Sequence, residues 1–135
     1  MIDARLSGVA IMLVDDDADN TELLAVLLQS AGARVHTAAS AQQALETLDD
    51  ADRAWHPDLL LLDIGLPGVD GYDLLGAIRQ RPPLSAVLAV AITAYAFEKD
   101  RQKALDSGFC MHVSKPYDAV EIIETLADLI APKRP

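Results

Sequence analysis

Four short, largely apolar stretches of this chain each stop on a polar residue. Val9–Val14 runs into Asp15, Asp16 and Asp17, Leu59–Leu62 into Asp63, Val87–Ile92 into Thr93, and Met111–Ser114 into Lys115 and Pro116. A strand with one wet face alternates apolar and polar residues. Runs without that alternation read as strands covered on both faces, the pattern of a parallel sheet between two helical layers. Parallel α/β sheets bind ligands at the carboxyl ends of their strands. Four parallel strands of this kind would therefore gather several carboxylates, one hydroxyl and one ammonium at a single sheet edge.

The segments between these runs have helical spacing and helical punctuation. Asn20 or Asp19 can cap a helix carrying Leu23, Leu24, Val26, Leu27 and Leu28, which leaves at Gly32. Arg34–Ala38 reads as a second, shorter strand, and Ser40 can cap a helix from Ala41 to about Asp50. A connector closed by Pro57 leads into the Leu59 strand, with Trp55 expected to anchor it on the sheet. Gly65–Gly71 is turn chemistry, followed by a helix through Leu74, Leu75 and Ile78 to Arg79, which Pro82 and Pro83 break. Glu98–Ser107 forms a polar fourth helix ended by Gly108, and Asp118 caps a fifth with Val120, Ile123, Leu126, Ala127 and Ile130 on one side.

Strand and helix thus alternate five times. Right-handed crossovers turn that order into a doubly wound α/β fold, a flavodoxin-like five-stranded parallel sheet of order 2-1-3-4-5 with five helices. The first and third strands, ending in Asp15-Asp16 and Asp63, then lie side by side. One domain over residues 8–131 is expected, with residues 1–7 and 132–135 as flexible ends.

Composition narrows the function. Eleven Lys and Arg against 21 Asp and Glu give a net charge of −10, which suits a cation or a basic partner and argues against direct nucleic-acid binding. No charged-then-apolar leader and no long apolar span is present, so a cytoplasmic location is expected. The single cysteine, Cys110, is expected to be a small buried residue.

Carboxylates held in contact repel one another unless a cation sits among them. Mg²⁺ is the expected cation, since it prefers oxygen ligands and keeps several waters. Asp16 and Asp63 are assigned as direct ligands, Asp15 as a ligand through water, and the Gly65 carbonyl as a further contact. With charge neutralised, Asp63 can act as a nucleophile toward phosphorus. Lys115 offers a point charge and Thr93 a hydroxyl to phosphoryl oxygens, and Ala94 is small enough to admit the group. Each residue alone has a structural explanation: the Asp triplet as turn and cap, Thr93 as a strand residue, Lys115 as a surface charge. Their joint placement carries the reading.

The motifs Leu13-Val14-Asp15-Asp16-Asp17, Leu62-Asp63-Ile64-Gly65-Leu66-Pro67-Gly68-Val69-Asp70-Gly71, Thr93-Ala94 and Ser114-Lys115-Pro116 resemble those of response-regulator receiver domains of two-component signalling. The resemblance spans nearly the whole chain. It implies that a sensor histidine kinase or a histidine phosphotransfer protein donates a phosphoryl group to Asp63, with Mg²⁺ held by Asp15, Asp16, Asp63 and the Gly65 carbonyl. It implies further that Thr93 and Lys115 follow the phosphate, that a downstream protein reads the face of the fourth helix, fifth strand and fifth helix, and that Lys115-Pro116 is cis. The domain would be a switch and not an enzyme, apart from its own phosphorylation and slow dephosphorylation. Where many receivers carry an aromatic switch residue three positions before the lysine, this chain has His112. Gly65 leaves one side of the pocket open, and Tyr95 shades the other.

Two other functions fit parts of the pattern. A pseudo-receiver would bind partners without phosphorylation, but it would lack a site residue. An aspartate-nucleophile phosphohydrolase of the haloacid-dehalogenase type usually needs a second acid two residues past the nucleophile, and that position is Gly65.

Overall fold

The computed structural model describes residues 5–50, 55–66, 68–94, 98–115 and 117–130. Five parallel strands form one sheet, β1 (Ala10–Val14), β2 (Arg34–Ala38), β3 (Leu59–Asp63), β4 (Leu88–Thr93) and β5 (Met111–Ser114), in the order β2-β1-β3-β4-β5. Five helices connect them: α1 (Ala18–Ser30), α2 (Ala41–Asp49), α3 (Gly71–Arg79), α4 (Glu98–Asp106) and α5 (Ala119–Ile130). This is the α/β architecture expected from the apolar runs.

Alternation along the strands builds two cores. Ile11, Leu13, Leu59, Leu61, Val90 and Ile92 enter the layer with α1 and α5. Met12, Leu60, Leu62, Ala89 and Ala91 enter the layer with α2, α3 and Ala104 of α4. The central strands are buried throughout, whereas β5 is only half-buried because it is an edge. Edge position also explains Cys110, which is exposed and not buried as expected, although its backbone N–H donates to the Ala89 carbonyl at 2.8 Å.

Helix ends and faces differ in places from the sequence reading. Asp17, and not Asp19 or Asn20, caps α1: its carboxylate accepts from the Asn20 N–H at 3.2 Å. Helix α1 buries the stripe Thr21, Leu24, Ala25 and Leu28, which leaves Leu23 and Val26 exposed. Helix α5 packs through Ile122, Ile123, Leu126, Ala127 and Ile130, so Val120 falls to one side and is exposed. The Ser40 and Asp118 caps form as read, accepting from Gln43 N–H and Val120 N–H. At the N-terminal end, Leu6 is fully buried in the α1/α5 core, and its N–H donates to the Ala31 carbonyl. Trp55 packs on β2 through His36, with ring centroids 4.1 Å apart.

Opposite the carboxyl edge, Arg79 ties three loops together. Its guanidinium donates to the carbonyls of Leu84, Val87 and Gly108, joining the end of α3 to the entries of β4 and β5. Polar α4 is held to α3 by Lys103 over the Tyr72 ring at 4.5 Å, and Tyr72 meets Phe109 edge-on.

Space requires glycine at position 71, beside the end of β3. A Cβ on Gly71 would lie 2.6 Å from the Asp63 carbonyl oxygen and 2.7 Å from Ile64 Cα, whereas a Cβ on Gly76 would meet nothing. Gly71→Ala should therefore lower stability by about 1–3 kcal/mol in urea unfolding. Gly76→Ala, in the same helix, should raise it by roughly 0.5–1 kcal/mol.

Candidate functional site

Parallel pairing in register brings the ends of β1, β3, β4 and β5 together. Asp15, Asp63 and Thr93 are buried there, at 2%, 5% and 1% exposure, while Asp16 is exposed. One carboxylate oxygen from each of Asp15, Asp16 and Asp63 lies within 4.8 Å of the others. The three acids can hold a metal ion, and their all-oxygen donor set fits a hard cation.

Hydrogen bonds divide the acids into two kinds. Asp15 Oδ1 accepts from the Asp17 N–H at 3.0 Å, and Oδ2 lies 3.1 Å from Lys115 Nζ. Asp63 Oδ1 accepts from the Gly65 N–H at 2.9 Å, and Oδ2 accepts from Lys115 Nζ at 3.0 Å. Among the described residues, the Asp16 carboxylate makes no hydrogen bond or ion pair. Asp15 and Asp63 thus have both carboxylate oxygens engaged, and Asp16 is the more available of the three acids.

Burial pushes the Asp63 carboxyl above its ordinary value. The Gly65 N–H and Lys115 pull the other way, and the neighbouring Asp15 charge adds to the rise. Burial pulls the Lys115 ammonium down, but its bonds to Asp63 and Asp15 outweigh that and hold it above the usual lysine range. Lys115 is thus the cation already present in the cluster.

Thr93 ends β4 beside Asp63, and its carbonyl accepts from the Lys115 N–H at 2.7 Å, which fixes the lysine's backbone. Ala94 is exposed next to it. A Cβ on Gly65 would sit 3.6 Å from Asp63 Oδ1, an ordinary contact, so space alone does not demand glycine there. His112 is half-buried on β5 opposite Ala91, on the same side of the strand as Ser114. Tyr95, Pro67 and Pro116, with the expected cis bond, lie outside the described residues.

The structure adds one residue that the sequence reading passed over. Tyr117 is half-buried two residues past Lys115, and burial, followed by the Asp15 charge, raises its phenol. An aromatic inside a loop carries no periodic signal, so only its position relative to Lys115 could have drawn attention to it.

With fold and acidic cluster together, the class is defined. The chain matches the response regulator receiver domain over residues 11–127 and belongs to that family. It is a module of two-component signal transduction and not an enzyme in the ordinary sense; receiver domains partner with histidine kinases. An uncharacterized 14.6 kDa protein of Leptolyngbya boryana is 42% identical over 118 residues, 87% of each chain. Hybrid signal transduction histidine kinase D of Dictyostelium discoideum is 34% identical over 130 residues, which cover 93% of this chain and 8% of the kinase. The Francisella response regulator 1452 receiver domain superposes with a TM-score of 0.82 at 19% identity, covering 94% of this chain and 100% of that one. The Mn²⁺-bound form of response regulator Rcp1 gives 0.72 at 21% identity, over 91% and 92%. At such identities these structures speak to the fold. Among the described residues, no helix is long and apolar enough to cross a membrane.

The raised Asp63 value has a consequence for stability. A carboxyl whose folded pKa exceeds its unfolded one contributes stability that is complete below the ordinary carboxyl value of 3.8 and is lost as pH rises through the folded value. At neutral pH in chelator-treated buffer, Asp63→Asn should therefore melt higher than the native protein. The difference should shrink as the pH is lowered toward the ordinary carboxylate range.

Proposed function

We propose that this receiver is a Mg²⁺-dependent phosphoacceptor, with Asp63 taking the phosphoryl group from a phosphohistidine of a sensor kinase or phosphotransfer protein. The observation that carries the reading is the contact of a buried Asp63 with both Lys115 and the acidic cluster. An oxygen of the Asp63 carboxylate forms the new P–O bond as the P–N bond breaks, and the electron pair returns to the donor imidazole. Asp16, Asp63 and the Gly65 carbonyl would hold the ion directly and Asp15 through water. Bound Mg²⁺ supplies positive charge against the carboxylates and phosphoryl oxygens.

The chain's own residues do the rest. Lys115 keeps its charge and exchanges a carboxylate contact for one to a phosphoryl oxygen. Thr93, at the end of the neighbouring strand β4, turns its hydroxyl toward the same group, and the exposed position of Ala94 leaves the approach open. His112 fills the space that Thr93 vacates, in place of the larger aromatic of other receivers. The downstream partner then reads α4, β5 and α5.

Incubation with acetyl phosphate and Mg²⁺ should add one phosphoryl group by intact mass, and none to Asp63→Asn. Labelling of Asp63→Asn to the native extent would remove Asp63 as the acceptor.

Mg²⁺ binding to the resting protein should be weak by calorimetry, because the carboxylates form an incomplete cage. Asp16→Ala should abolish it, and Asp15→Ala should weaken it less. Equal affinity in the native protein and Asp16→Ala would remove Asp16 from the ligand set.

A beryllofluoride mimic should shift the His112 ring and α4 resonances by NMR. Identical spectra with and without the mimic would break the coupling from Asp63 through Thr93 to this face.

A further inference from the structure

Helix α4 is weakly anchored. From Lys99 to Asp106 only Ala104 is buried, whereas α5 buries Ile122, Ile123, Leu126, Ala127 and Ile130. A helix with one buried alanine depends on contacts made beyond its own apolar side.

Those contacts converge on one aromatic residue of α3. Tyr72, half-buried in the first turn of that helix, receives the Lys103 ammonium over its ring face at 4.5 Å and meets the Phe109 ring edge-on at 6.1 Å. Phe109 is 2% exposed, just past the end of α4, and its N–H donates to the Ala104 carbonyl at 3.1 Å. Burial, followed by the Asp100 charge, raises the Tyr72 phenol, so Asp100, one turn before Lys103 and on the same side of α4, acts on the same residue. Tyr72 thus meets α4 along its side and at its exit.

The other end of this connection is the phosphoacceptor position. Gly71 immediately precedes Tyr72, and a Cβ there would stand 2.6 Å from the Asp63 carbonyl oxygen. The Gly71 N–H donates to the Ile64 carbonyl at 3.1 Å. Backbone contact with the end of β3 and side-chain contact with α4 therefore lie on consecutive residues.

We propose that Tyr72 is a positioning residue, the joint through which the Asp63 end of β3 sets the placement of α4, by a route through α3 that is separate from Thr93 and His112. The event that drives the joint rests on the phosphoacceptor reading, but the joint itself is present in the resting protein. A displacement of the turn after β3 has to move Gly71, because no space separates it from the Asp63 backbone. Tyr72 moves with it, and its ring keeps or releases the Lys103 ammonium.

The test uses Tyr72→Leu, which removes the ring, and Lys103→Met, a surface change that keeps the stem and removes the charge. In the metal-free protein, amide hydrogen exchange across α4 should rise roughly two- to fivefold in Lys103→Met, the worth of one exposed cation–π contact, and at least as much in Tyr72→Leu. Lys103→Arg and Tyr72→Phe, which keep a cation and a ring, should exchange as the native protein does, and so should Lys99→Met. On loading with Mg²⁺ and beryllofluoride, Tyr72→Leu and Lys103→Met should retain the native shift of the Gly65 amide, which bonds Asp63, and show smaller α4 shifts. Native exchange across α4 in both variants, or α4 shifts of native size in both once loaded, would overturn the proposal. Absence of the Gly65 shift in the native protein would instead remove the phosphoacceptor reading and leave the exchange comparison to decide the joint.

Discussion

Four consecutive leucines with no access to solvent, Leu59–Leu62, determine how the rest of the molecule is arranged. Alternate members enter opposite cores, so neither helical layer can close without the strand between them. Their backbone must also find a neighbour on each side, which β1 and β4 supply. Burying each leucine contributes about 2 kcal/mol, so the strand is strongly held in place. Asp63 follows directly and is carried to 5% exposure by the same constraint. The position of Asp63 is therefore set by apolar packing, not by interactions of its own.

Apolar packing also has to offset what the cluster costs. Two buried carboxylates at one sheet edge repel, and removing them from water is unfavourable. A single ammonium bridging Asp15 and Asp63 at 3.1 and 3.0 Å relieves this only in part, since the Asp63 carboxyl remains above its ordinary value. The resting arrangement is one in which further positive charge is welcome. That is the physical reason the three acids together have a capacity for a metal ion.

The architecture was legible because it rests on burial. Uninterrupted apolar runs mark β1, β3 and β4 in the sequence, and their polar ends mark the strand-end positions of Asp15, Asp16, Asp63, Thr93 and Lys115. Side-chain choices among close alternatives were less legible. Asp17, Asp19 and Asn20 all suit a helix cap, and only the chain's exit angle from β1 selects Asp17. Leu23, Val26 and Val120 are apolar in sequence yet exposed, because which stripe of a helix faces inward depends on the sheet beneath it. The exposure of Cys110 and the half-burial of β5 follow from the place of β5 at the sheet edge, which the residues around Cys110 do not show by themselves. The direct Lys115–Asp15 contact joins residues a hundred positions apart, and no local pattern announces it.

The chain has a single tryptophan, and it packs at 4.1 Å against His36 of β2, an outer strand with β1 between it and β3. Parallel strands lie about 4.8 Å apart, so this indole is attached to a part of the sheet roughly 10 Å from the strand that carries Asp63. Intrinsic emission is in effect a built-in optical probe of the β2 margin, with an imidazole as its immediate environment. Light from this protein would report first on the packing of the indole against His36 and on whatever lies along that margin, and only secondarily on events at the carboxyl ends of the strands.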